Sequence, residues 1–96
     1  MTTYFVTRHR GAIEWLRRKG IAATIVEHLD VGQVQPGDLV LGSLPVQIVA
    51  LLNARGVRYM HLAYDTPHEL RGQELSADDL ERLGARLVEY RVEQVE

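Results

Sequence analysis

DLVLGSLPVQIVALLNARGVRYMHLA, residues 38–63, decides the fold. Asp38 to Leu41 opens a strand whose residues are almost all apolar, the pattern of a strand covered on both faces. Gly42-Ser43-Leu44 is a turn, and Pro45 suits the first position of the following helix, where a missing N–H costs nothing. Val46, Ile48, Val49, Leu51 and Leu52 cover most of that helix's circumference, which predicts a well-buried helix. Gly56 stops it, and Val57 to Ala63 reads as a second strand. A strand, a helix of about ten residues and a strand imply parallel pairing through a right-handed crossover.

The same rhythm precedes this segment. Thr3 to Thr7 is β-branched and aromatic and reads as strand one. Arg8-His9-Arg10-Gly11 is a polar loop, and Ala12 to Lys19 a helix with Ile13 and Leu16 on one face beside Ala12 and Trp15. Arg17, Arg18 and Lys19 suit its negative end, and Gly20 its C′ position. Ala22 to His28 is strand two, followed by a loop from Leu29 to Gly37. Beyond Ala63 a long polar loop runs from Tyr64 to Leu75. Ser76 to Asp79 resembles a capping box, with Asp where Glu is commoner. Leu80, Leu83, Leu87 and Val88 predict a last helix, and Tyr90 to Val95 a short edge strand or a frayed tail. The expected fold class is α/β: a compact, Rossmann-like, three-layer domain over residues 1–96 with a short, mostly parallel sheet.

Bulk properties exclude several classes. A 96-residue chain fits one domain, and 46% hydrophobic with 25% charged residues is an ordinary globular balance rather than a disordered one. No apolar run is long enough for a membrane span. Cysteine is absent, which removes disulfide frameworks and thiolate zinc sites. No signal-peptide pattern precedes strand one, so the cytoplasm is the default address. The net charge of -2 argues against coating long nucleic acid, while leaving room for a small anion at a local basic patch.

Open parallel sheets bind ligands outside the carboxyl ends of their strands. Three such ends are polar here: Thr7-Arg8-His9-Arg10, then Gly42-Ser43, then Tyr64-Asp65 leading on to His68, Glu69, Arg71 and Glu74. The first joins two guanidiniums and an imidazole at a helix amino end, where the dipole and free N–H groups favour an anion. Arg adds bidentate phosphate recognition. The plainer alternative is a solvated turn whose arginines pair with nearby acids. Gly42 would let a ligand approach the backbone, and Ser43 could donate to a phosphate oxygen or simply cap the helix. Arg71 before Gly72 could swing over a bound anion. His61, within strand four, reads as a sheet-face histidine. His28 and Asp30, even with His9, His61 and Asp65, have no recognised metal-ligand spacing. No Walker A, G-x-G-x-x-G or G-x-S-x-G motif is present. The residues support a small anion-binding α/β domain without naming the anion.

Several runs point further. Tyr4-Phe5-Val6-Thr7-Arg8-His9 with Gly11-Ala12-Ile13-Glu14-Trp15 resembles the opening of the small CRISPR-associated accessory proteins called Csx sixteen. Glu27-His28-Leu29-Asp30, Gly37-Asp38 with Gly42-Ser43-Leu44-Pro45-Val46, and Ala54-Arg55-Gly56-Val57-Arg58-Tyr59 are similar to that family too. So are His61-Leu62 and the run from Glu69 to Ser76, and the resemblance covers nearly the whole chain. Arg10 departs from it, standing where many relatives carry Pro. The resemblance implies a ring nuclease of type III CRISPR antiviral defence, a hydrolase or lyase that cleaves cyclic oligoadenylate, chiefly cyclic tetra-adenylate. It also implies a homodimer and no cofactor or metal. On that reading Arg8, His9 and Arg71 are the expected catalytic groups. Thr7, Arg10, Gly42, Ser43, Asp65 and Glu74 are the expected ligand-binding groups. A protein that sequesters the messenger without cutting it, a metal-dependent nuclease on linear nucleic acid, and an interaction module remain the alternatives.

Overall fold

The computed structural model describes residues 1–66 and 72–96. Its strands are β1 (Thr3–Val6), β2 (Thr24–Val26), β3 (Leu39–Gly42), β4 (Arg58–Ala63) and β5 (Arg86–Tyr90). Its helices are α1 (Arg10–Arg18), α2 (Val46–Ala54) and α3 (Ala77–Arg82), with a 3-10 turn at Val31–Gln33. The sheet order is β2-β1-β3-β4-β5. The pairs β1–β2, β1–β3 and β3–β4 are parallel, and β5 is antiparallel to β4. The α/β, mostly parallel, Rossmann-like expectation holds.

Period-two alternation in the strands produces the layers. Phe5, Leu41 and Leu62 point to one face and meet Ala12, Trp15 and Leu16 of α1 and Ala77 and Leu80 of α3. Val40 and Tyr59 point to the other and meet Val34, Val49, Leu52 and Val57. Trp15 donates its indole N–H to Glu81 at 3.2 Å, tying α1 to α3 by a polar contact beside the apolar one.

Two expectations need correction. The last helix ends at Arg82, and Leu87 and Val88 lie on β5. Gly84, at φ 75°, turns the chain out of the helix, so the leucine spacing that looked helical spans a helix, a glycine stop and a strand. The edge strand consequently lies at Arg86–Tyr90, not Tyr90 to Val95. The second correction concerns α2. Only Val49 and Leu52 are buried, while Val46 and Leu51 are 64% and 53% exposed, because α2 forms an outer layer and no described element covers its far side. The predicted capping box is present: Asp79 N–H donates to Ser76 Oγ, and Ser76 N–H to Asp79 Oδ2, both at 3.0 Å. No helix among the described residues is long and apolar enough to cross a membrane.

Two local contacts fix the frame. A Cβ at Gly11 would lie 1.9 Å from the Leu75 carbonyl oxygen, so α1 can meet the segment before α3 only because residue 11 lacks a side chain. Gly11→Ala is expected to cost about 1–3 kcal/mol by overpacking. An unchanged denaturation midpoint would show that residues 75–76 do not press on α1. Asp38 is buried, with its carboxylate accepting the N–H of Thr2 and of Gln35, each at 2.9 Å. Those bonds, Thr2 first, hold its carboxyl below the usual aspartate range. A depressed folded pKa stabilises the protein above the unfolded value of about 3.9, and that contribution disappears as pH falls through the folded value. Asp38→Asn should therefore be less stable than the parent at pH 7, with the two denaturation midpoints converging below pH about 4.

Candidate functional site

The strand order sets the position of the site. From the adjacent central strands β1 and β3 the chain leaves for α1 on one face and α2 on the other. Two diverging connections leave a crevice at the carboxyl ends of those strands. A cleft of about 300 Å³ opens there. Thr7, Arg8 and His9 after β1, Glu27 after β2, Gly42 at the end of β3 and Ser43 just after it are among its lining residues.

The loop from Thr7 to His9 is bent by a local bond, Thr7 Oγ1 accepting the His9 N–H at 3.1 Å. His9 then stands at the N-cap of α1 with extended backbone, and no side chain caps that helix. No acid occupies its first turn either. The His9 Nδ1 lies 3.0 and 3.1 Å from the two Glu74 oxygens. An ionised carboxylate only accepts, so Nδ1 carries a proton, and it is Nε2 that holds the lone pair whenever the ring is neutral. Both side chains are largely exposed, and the pair orients the ring more than it stabilises the fold.

Arg8 donates to His28 Nε2 at 3.2 Å. Guanidinium has no acceptor, so this contact requires neutral His28 with its proton on Nδ1. Arg10 faces a neighbouring depression with Glu14, Arg18, Glu74 and Asp78, away from the main cleft.

At the end of β3 a buried phenol organises the backbone. Tyr59 is 2% exposed, and burial pushes its pKa up, so the hydroxyl keeps its proton. It accepts the Leu44 N–H and donates to the Gly42 carbonyl, both at 2.9 Å. Its third neighbour, His61 Nδ1 at 2.8 Å, must then be a donor. His61 is accordingly a histidine held by Tyr59, with its ring edge-on to Tyr90. Ser43 does not cap α2, whose N-cap is Pro45 with no side-chain bond. Its hydroxyl reaches the Leu62 carbonyl only at 3.5 Å, a weak contact that leaves it free to turn to the cleft. Gly42 serves strand pairing: a Cβ there would meet the Val6 carbonyl oxygen at 3.0 Å.

The structure thus gathers Thr7, Arg8, His9, Gly42 and Ser43 into one cleft and sets Glu74 against His9. It does not place Asp65 among the lining residues; the Asp65 N–H donates to Leu83 instead. Arg71, expected to close on the anion, lies outside the described residues, as do His68 and Glu69. His28 is engaged by Arg8, and Asp30 Oδ1 by the Gly32 N–H. Among the described residues no three His, Cys, Asp or Glu side chains group as a metal ligand set.

Sequence reasoning pointed to Tyr64 at the end of β4 but missed Glu27, Tyr59 and Gln73. Glu27 was hidden because Ala22 to His28 reads as one strand, whereas β2 stops at Val26 and leaves Glu27 just past its carboxyl end. The topology rule carried a signal for it, since the end of any parallel strand is a candidate ligand position.

Neither a curated protein nor a solved structure matches the chain. A family model does, over residues 4–93, and it is described as "Putative CRISPR-associated protein (Cas_VVA1548)". That span includes every element of the fold except the first residue of β1, and the whole described cleft. The chain belongs to this CRISPR-associated family, the Csx-sixteen-like group that its motifs resemble.

Proposed function

We propose that the chain is an accessory ring nuclease of type III CRISPR defence, binding cyclic oligoadenylate, chiefly cyclic tetra-adenylate, and opening it to linear products. The observation that carries this reading is the meeting of Arg8, His9, Ser43 and an uncapped helix amino end around one crevice in a CRISPR-associated chain. Those are donors suited to a phosphodiester.

The chemistry needs no resident cofactor. A ribose 2′-hydroxyl attacks the adjacent phosphorus, forming the O2′–P bond as the P–O5′ bond breaks. The hydroxyl proton goes to a base and the departing 5′-oxygen takes up a proton, leaving a 2′,3′-cyclic phosphate and a 5′-hydroxyl. His9, with Nδ1–H held by Glu74 and a lone pair on Nε2, is the base in this scheme. Arg8 balances the charge that grows on the phosphoryl oxygens, and Ser43 positions the phosphate. Arg71 takes part in the same role from the segment before Gly72.

Size supports a homodimer. A cleft of about 300 Å³ lies at the bottom of the range of about 300–1,000 Å³ that small ligands occupy. It suits one nucleotide rather than a ring of four. Two copies about a two-fold axis would offer a symmetric ring two equal phosphate sites.

Incubating the protein with cyclic tetra-adenylate in EDTA and separating products by chromatography tests the reading. Linear di-adenylate ending in a 2′,3′-cyclic phosphate is the expected product. Intact messenger co-eluting with the protein would establish a sequestering protein instead. If the messenger neither binds nor breaks, with or without added metal, the proposal fails. Arg8→Ala should weaken both binding and cleavage by about 10–100-fold, the scale of a lost charged hydrogen bond. His9→Ala should lower kcat by about 10²–10⁴ with binding changed only a few-fold. Unchanged turnover in His9→Ala would remove His9 from the mechanism.

A further inference from the structure

We propose that Glu27 is the specificity-determining residue of the cleft, accepting a hydrogen bond from the 2′-hydroxyl of a ribose other than the attacking one, so that the site prefers ribonucleotide to deoxyribonucleotide. The inference rests on the nucleotide-binding reading above.

The placement comes from the strand register. Val6 pairs with Val26, and the Thr7 N–H donates to the Val26 carbonyl at 2.9 Å. Glu27 therefore leaves β2 alongside the point where Thr7 leaves β1, and it lines the same cleft as Arg8, His9 and Ser43. Glu27 is the one acid among the described lining residues. It has no hydrogen-bond or ion-pair partner among the described residues. Arg8, which shares the cleft, directs its guanidinium to His28.

An ionised carboxylate only accepts hydrogen bonds, and it repels phosphate. The other polar groups in the cleft include donors that suit a phosphate. Glu27 must consequently face a part of the ligand that donates and carries no negative charge. In dinucleotide-binding βαβ units the first loop meets the pyrophosphate and an acid further along takes a ribose hydroxyl; Glu27, just past the end of β2, offers an acid at a comparable place without the Gly-rich loop. In a ring of 3′,5′-linked nucleotides the 2′-hydroxyl is the only free ribose hydroxyl. Glu27 is exposed and unpaired, so its replacement removes no hydrogen bond or ion pair among the described residues.

The test compares binding of cyclic tetra-adenylate with that of its all-2′-deoxy form, on ice, with chromatography to verify that the ring is still intact. The parent protein should prefer the ribose ring by about tenfold or more, the scale of a charged hydrogen bond. Glu27→Ala should abolish the preference by losing affinity for the ribose ring while leaving the deoxy ring unchanged or tighter bound. Glu27→Gln, which retains a carbonyl acceptor, should recover part of it. Matching circular dichroism and melting curves establish that the variants fold. A preference that survives in Glu27→Ala, or equal binding of both rings by the parent, overturns the inference and leaves the ring-nuclease reading standing. If the parent binds neither ring, both readings fall.

Discussion

Everything at the candidate site follows from the pairing of β1 with β3. These strands are distant in sequence yet lie edge to edge, in register from Thr3 opposite Leu39 to Val6 opposite Gly42. The first crossover carries α1 to one face and the second carries α2 to the other. Had both helices lain on one face, a single layer would have roofed the strand ends. Because they diverge, the carboxyl ends of β1 and β3 open onto a crevice. The absent side chain at Gly42 belongs to this constraint, since a Cβ there would crowd the Val6 carbonyl and push apart the strand ends that form the cleft floor.

Rigid support behind the cleft comes from one hydroxyl. Tyr59 sits in the α2-side core and its phenol holds the Gly42 carbonyl, the Leu44 N–H and His61 together. It fixes the turn that carries Ser43 without occupying the hydroxyl of Ser43 itself. A side chain committed to the backbone in this way leaves the neighbouring one available for ligand, which is the division of labour a preformed site needs.

Local patterns were legible in the sequence, and long-range ones were not. The apolar run at Leu39 to Leu41, Pro45 before α2, Gly20 after α1 and the Ser76–Asp79 capping box all act within a few residues, and each was readable. The end of α3 was misread because Leu80, Leu83, Leu87 and Val88 keep a helical spacing across the Gly84 stop, and periodicity does not register a single positive-φ residue. The burial of α2 was overestimated for a different reason. An apolar circumference states what a helix could bury, and the number of layers around it decides what it does bury. At the candidate site, Arg8, His9 and Ser43 were nameable as candidates from their chemistry at strand ends, and the fold brings them to one cleft. Glu27 did not, because its significance depends on where β2 stops. The bond between Glu74 and His9 joins residues 65 apart and has no local signature at all.

A chain of net charge -2 can still present an anion site, because charges act over a short range. Screening in physiological salt limits exposed charges to about 8 Å. On the α1–α3 flank the acids are already engaged. Glu14 meets Arg17 and Arg18, Asp78 meets Arg18, Asp79 meets Arg82, and Glu81 meets Lys19. The carboxyl of Glu14 is held low by the Arg18 bond first, and that of Glu81 by the Lys19 bond first. These exposed pairs add little to stability. Their consequence is positional, for they keep acids and bases neutralised on one flank and leave Arg8, at the cleft, with no carboxylate partner among the described residues. A phosphate entering the crevice would meet the Arg8 guanidinium rather than the average charge of the chain. Against such a background an unpaired carboxylate in the cleft is costly to anion binding unless the ligand brings a donor to it. That cost is the physical reason to assign Glu27 to the sugar and the arginine to the phosphate.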